Sequence, residues 1–198
     1  MTTPSTSAAM VAKRHYRLRE IYRITERAAA TLIATRHLEC DKRAMERVML
    51  AVTQINGCAV CSYAHTRFAL AMGMPAHEVR ALLGGVTDAA PSDELAGIAF
   101  GQHYADQRGA PDPAAWQDLV DHHGTRRALC VLRATRSIMW GNATGIPVTS
   151  LRSRIAGQPD PGSSLTYEIV TVVGSMLMLP VAVGHALASH WRGRPVTP

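Results

Sequence analysis

Aromatic and charged side chains are both scarce in this chain. Two phenylalanines occur in 198 residues, aromatics make up 5% and Asp, Glu, Lys and Arg together 18%. Strands draw on aromatic and β-branched residues, whereas the apolar positions here are filled by Ala, Leu, Val and Met, which suits packed helices. At 47% hydrophobic, a chain of this length builds one globular domain with a real core. The formal charge of +6 is spread along the chain. Its densest groupings, Arg126-Arg127 with Arg133 and Arg136, and Arg152 with Arg154, lack aromatic interleaving and any nucleic-acid motif. They are expected to be solvated helix faces and inter-subunit ion pairs, with no nucleic-acid partner. The opening MTTPSTSAAMVAKRHYRLR has no apolar run of the kind a signal peptide needs, so a cytoplasmic location is expected. Cysteine is sparse too, at positions 40, 58, 61 and 130. Without a secretory signal these are not expected to form a disulfide framework, and Cys130 is expected to be a small buried hydrophobe.

What the chain does have is concentrated between Glu46 and His65, in E-RVMLAVTQING-C-AV-C-SYA-H. Helical periodicity runs on both sides of Asn56-Gly57. The spacing predicts a helix ending near Asn56, a sharp turn at Gly57, and a new helix opening at Cys58. On that second helix Cys58 and Cys61 stand one turn apart, and Cys61 and His65 stack at i, i+4, so two thiols and an imidazole share a face. Glu46 meets them if the two helices pack as a hairpin. A free cysteine, with a pKa of about 8.5, must be ionised to attack a peroxide or a disulfide. The helix N-terminus favours a thiolate at Cys58, His65 is a candidate base for Cys61, and Glu46 could orient the imidazole. Oxidation of one thiol and resolution by the other gives a Cys58–Cys61 disulfide, which a reductant must reopen.

The pattern E-x11-C-x2-C-x3-H followed by TRFALAMGMPAHEVRALLGG, over Asp41 to Gly85, resembles the alkylhydroperoxidase AhpD-like branch of the carboxymuconolactone decarboxylase family. Trp140-Gly141-Asn142-Ala143-Thr144-Gly145 is loosely similar to later parts of such chains. The resemblance implies an all-α, AhpD-like helical bundle assembled as a homotrimer or homohexamer, and a thiol-dependent oxidoreductase acting on hydroperoxides or disulfides without a cofactor. Carried over by position, Glu46, Cys58, Cys61 and His65 are the proton relay and the redox pair, with Cys61 attacking and Cys58 resolving. The reductant would be a lipoyl group, a thioredoxin-like protein or a small thiol. Val60 stands where the best-known peroxidase members carry a second histidine.

Two other functions fit part of the pattern. Cys58, Cys61 and His65 on one face could hold a metal with Glu46 as fourth ligand, although structural zinc usually draws its fourth ligand from a second element. A lactone-acid decarboxylase on the same fold would leave the CxxC pair without a role.

Elsewhere the readings are structural. Residues 1–9, rich in Thr, Ser and Pro, are expected to be a disordered tail, and residues 10–192 the helical domain. Helices are expected from Met10 to Thr35, from an Asp41 cap, from Met74-Pro75 to Gly84-Gly85, from Ser92 or Asp93 to Asp106, from Ala114 to His122, and from Thr125 to Trp140. Gly145-Ile146-Pro147 is expected to break the pattern, and Ser163 or Ser164 to cap the last helix. The lone histidines at 15, 37, 77, 103, 185 and 190 are expected in ordinary surface or core roles, with His103 the one to compare with the site. Ile169 to Ala188 carries no Asp, Glu, Lys or Arg and is long enough to span a bilayer. Pro180, Thr171, Ser175 and His185 argue instead for core or subunit-interface burial, with no membrane partner.

Overall fold

A computed structural model describes residues 12–198; the tail expected at residues 1–9 lies outside them. Among the described residues there are seven helices and one 3-10 turn, with no strand. In order they are α1 (Leu18–Ala34), α2 (Lys42–Asn56), α3 (Ala59–Ala71), α4 (Ala76–Leu83), α5 (Leu95–Asp106), α6 (Pro113–Ile155) and α7 (Leu165–Trp191), with the 3-10 turn Ser92–Glu94 leading into α5.

The first helix opens at Leu18, later than its periodicity predicts, because the chain before it is held straight by distant partners. The Arg14 amide donates to the Asn56 carbonyl (3.0 Å), and its guanidinium to the Ala105 and Asp106 carbonyls. Tyr16 is buried, its hydroxyl donating to Asn56 Oδ1 (2.6 Å). Helix then begins where Glu20 reaches back to accept from the Arg17 amide (2.7 Å). The second helix starts where its cap predicts: Asp41 accepts from the amides of Arg43 and Ala44 at 2.8 and 3.2 Å, satisfying two of the orphan donors.

Two groupings meet along α6. On one side α2 packs on α3, α4, α5 and α6; on the other α1 and α7 pack on each other and on α6. The core runs between them through Leu50, Val52, Ile98, Leu132, Met139 and Ile146, all essentially fully buried. Gly124, at φ 72° and ψ 157°, interrupts α6 at the His122-His123-Gly124 stop expected from the sequence. The other expected stop does not occur, for α6 runs through Gly145-Ile146-Pro147 to Ile155. A mid-helix proline costs about 3 kcal/mol, and burial of Asn142, Ala143, Ile146 and Ser150 around it offsets that.

The last helix differs from expectation as well. Ser164 caps it, accepting from the Tyr167 amide (3.2 Å). Thr171, Ala182 and Ala186 are buried, yet Val173, Met176, Leu177 and Val181 face outward, Leu177 at 70% exposure. Within the single chain α7 is therefore a half-covered helix, not a core one. A helical pattern shows which residues are apolar, but not how many neighbours exist to cover them.

The α6–α7 loop is tied to the N-terminal segment through Asp160, which accepts from Lys13 Nζ (2.8 Å), the Ser150 hydroxyl (2.9 Å) and the Gly162 amide (3.0 Å). Burial alone would raise its pKa, but these partners hold it at about 2, below the ordinary 3.8. Because the folded value is depressed, this stabilisation is fully present above the ordinary value and is lost as pH falls through about 2. Asp160→Asn should therefore lower stability at neutral pH by about 2 kcal/mol. In chemical unfolding curves its deficit against the parent protein should shrink between about pH 4 and pH 2.

Candidate active site

The turn between α2 and α3 builds the site. Gly57 adopts φ 68°, ψ 33°, and its amide closes α2 on the Thr53 carbonyl. A left-handed residue there ends α2 abruptly and lets Cys58 act as the N-cap of α3. Asn56, just before the turn, is fully buried. Its side chain accepts from Tyr16 and donates to Met139 Sδ (3.2 Å), so the corner is tied to both the N-terminal segment and α6.

The structure brings all four expected residues together. Cys58 and Cys61 are bonded to each other, with Cα atoms 5.3 Å apart. His65, one turn beyond Cys61 on α3, makes a 2.6 Å hydrogen bond from Nδ1 to Glu46 Oε1 of α2. With Nδ1–H donating to the carboxylate, Nε2 carries the lone pair (a tautomer assigned from the partner). Glu46 is held toward α3 partly by its neighbour. Arg47, about 100° further round α2, pairs with the buried Glu78 carboxylate of α4 and reaches Glu94 (2.9 Å). Burial opposes the Arg47 charge, but the two carboxylates raise its pKa above the ordinary value. This pairing fixes the rotation of α2 and hence the direction of Glu46.

Both cysteines are largely covered, Cys58 at 1% and Cys61 at 8% exposure. Around them α3 presents Val60, Tyr63 and Phe68 to solvent, and Phe68 packs edge-on against the His65 ring. A shallow hollow of about 390 Å³ opens beside Glu46, walled by Met45, Met49, Phe68 and Met72. A larger cavity, about 540 Å³, lies elsewhere, around the start of α2 and Cys130. The bonded sulfurs are not available as metal ligands in this form.

Gly145 of α6 is a site residue that the sequence reading missed. A Cβ built there would lie 3.2 Å from Cys58 Sγ, 3.2 Å from Val60 Cγ1 and 3.3 Å from Cys61 Sγ. With no side chain at position 145, the helix approaches the disulfide this closely without either sulfur having to give way. Its signal was present, a glycine in the Trp140–Gly145 stretch, but Gly-Ile-Pro reads locally as a breaker. His103 is not at the site; its Nε2 accepts from the Asp112 amide (3.1 Å) and caps the loop before α6.

Cysteine pairing also corrects the sequence reading. Cys130 is not a lone hydrophobe: it is bonded to Cys40 across 90 residues, with Cα atoms 5.7 Å apart, because the loop before α2 lies against α6. No free cysteine remains among the described residues.

Gly145→Ala should crowd the two sulfurs, which need more room as separate thiols than as a bond. The expected result is a loss of about 1–3 kcal/mol, larger in the dithiol than in the disulfide form. Thermal unfolding with and without reductant should show the gap between the two forms widening.

Compared with known proteins, residues 19–98 match the carboxymuconolactone decarboxylase family. The match runs from α1 into α5 and includes Glu46, Cys58, Cys61 and His65, while Gly145, Cys130 and α7 lie beyond it. No curated protein and no solved structure matches the chain.

Proposed function

We propose that this chain, whose residues 19–98 match the carboxymuconolactone decarboxylase family, is a thiol-dependent oxidoreductase that reduces hydroperoxides or disulfides through Cys58 and Cys61. The observation that carries this reading is the Glu46–His65 hydrogen bond beside a bonded CxxC pair. A decarboxylase would have no use for that pair.

In the dithiol form, His65 Nε2 takes the proton of Cys61, and Glu46 stabilises the imidazolium through Nδ1–H. The Cys61 thiolate attacks the distal oxygen of ROOH, the O–O bond breaks, ROH leaves with the proton, and Cys61 becomes a sulfenic acid. Cys58 displaces water from it, giving the Cys58–Cys61 bond seen here. A dithiol reductant then exchanges with that bond, becoming a disulfide and restoring both thiols. Cys61 is the attacker because it is the less buried of the two and shares its helical face with His65. Val60 is exposed and supplies no proton, so the relay is Glu46 and His65 alone.

Peroxide consumption measured with lipoyl, thioredoxin-like and small-thiol reductants tests this. Cys58→Ser and Cys61→Ser should each abolish turnover, with a sulfenic acid trapped only where Cys61 remains. Glu46→Gln should lower kcat by about a hundredfold while keeping the fold. Full turnover in either cysteine variant ends the two-thiol reading.

We further infer that copies of the chain assemble through the outer face of α7 as a homotrimer or homohexamer in the cytoplasm. Ile169, Val173, Met176, Leu177 and Val181 form an exposed apolar row, an arrangement that usually marks a contact surface. By length and composition α7 could also cross a membrane, and the two are separable. Sedimentation should show an oligomer in detergent-free buffer that Leu177→Glu dissociates. A monomer that floats with lipid vesicles is the outcome that replaces it.

A further inference from the structure

A second pair of sulfurs sits at the opposite end of α2. Cys40, in the loop before the helix, is bonded to Cys130 of α6, and both wall the cavity of about 540 Å³. That volume lies in the range of small-molecule sites. The second helix is 15 residues long, about 22 Å at 1.5 Å per residue. The two disulfides are therefore too far apart to exchange with each other.

The cavity also holds the groups that thiol chemistry requires. His123 lines it with Nε2 buried and unpaired, near the bare backbone of Gly97. Burial, then the Arg127 guanidinium and His122, keep the His123 pKa below its ordinary value, so it is neutral at neutral pH. Arg126 and Arg127, which also line the cavity, precede Cys130 by four and three residues and share its helical face. Arg127 is also paired with Asp93 of the same lining (2.9 Å), so Arg126 is the cationic neighbour that favours a thiolate at Cys130. Of the two sulfur-bearing residues Cys130 is buried and Cys40 half-buried, which makes Cys40 the approachable one.

We propose that Cys40–Cys130 is a second thiol–disulfide exchange site, opened by a low-molecular-mass thiol that enters this cavity. The thiol RSH gives its proton to His123 Nε2, and RS⁻ attacks Cys40 Sγ. The Cys40–Cys130 bond breaks, Cys130 leaves with the electron pair, and it takes the proton back from His123. A second RSH then attacks the mixed disulfide on Cys40, releasing RSSR and the Cys40 thiol. Two RSH are oxidised to RSSR, and the protein gains two electrons and two protons. Opening the pair unties the start of α2, the helix that carries Glu46, from α6.

The test treats the full-length native protein with glutathione at neutral pH. It is then alkylated, each cysteine is mapped by mass spectrometry, and helicity is followed by circular dichroism. Cys40 and Cys130 should become labelled while helicity persists, with a glutathione adduct on Cys40 before any on Cys130. A dithiol protein of thioredoxin size should leave the pair oxidised over the same interval. His123→Gln should slow opening by glutathione about a hundredfold without slowing opening by a phosphine, which needs no proton acceptor. The proposal is overturned if the pair opens only as helicity is lost, or opens equally fast with the protein dithiol, or if the adduct forms on Cys130. Equal slowing by both reagents removes His123 from the chemistry. The map reads Cys58–Cys61 separately, so failure here and failure of the proposed active site are distinct results.

Discussion

The change of direction at Gly57 is the constraint on which the site depends. Successive helical residues point about 100° apart, so starting α3 one residue earlier or later would turn Cys61 and His65 away from Glu46. The left-handed backbone of Gly57 sets that start, and Asn56, gripped between Tyr16 and Met139, holds the corner still. A 2.6 Å contact between groups 19 residues apart is thus a consequence of one backbone torsion and one buried amide. The Arg47 cluster with Glu78 and Glu94 does the complementary work on α2. It breaks even at best as a source of stability, but it removes the helix's freedom to roll.

A second constraint comes from α6. The disulfide needs a wall, and a helix can serve only if its backbone comes within sulfur contact distance. Gly145 permits the approach; Pro147, two residues on, rides on a helix already committed by buried neighbours. The Thr149 hydroxyl donates to the Gly145 carbonyl (2.7 Å), pairing a backbone acceptor within the same stretch. A local reading of Gly-Ile-Pro as a terminator weighs only propensity, and here packing outweighs it.

What the sequence makes legible is what depends on near neighbours. The Asn-Gly corner, the Asp41 and Ser164 caps, the Gly124 interruption and the shared face of Cys58, Cys61 and His65 are all set within a few residues, and each stands where its pattern predicts. What was not legible depends on partners far along the chain. The late start of α1 follows from Arg14 and Tyr16 finding Asn56 and Ala105. The outward face of α7 follows from how little of the chain is left to cover it. The Cys40–Cys130 bond joins positions 90 residues apart, and nothing near either cysteine announces the other.

That difference in separation also divides the two disulfides physically. In the chain-entropy description, closing a loop of 90 residues removes about 4.6 kcal/mol worth of unfolded-state freedom, whereas a CxxC loop removes only about 2. By this measure Cys40–Cys130 is the more stabilising of the two bonds, and opening Cys58–Cys61 would cost the fold less. In the proposed reaction the pair would break and reform in every turnover, which suits a place where its loss leaves the surrounding helices standing. Here those helices are held independently, by Asn56 at the corner, by the Arg47 ion pairs on α2 and by the close wall of α6. The long-range bond sits where breaking it reaches α2 first, at the end farthest from Cys58 and Cys61 and on the helix that carries Glu46.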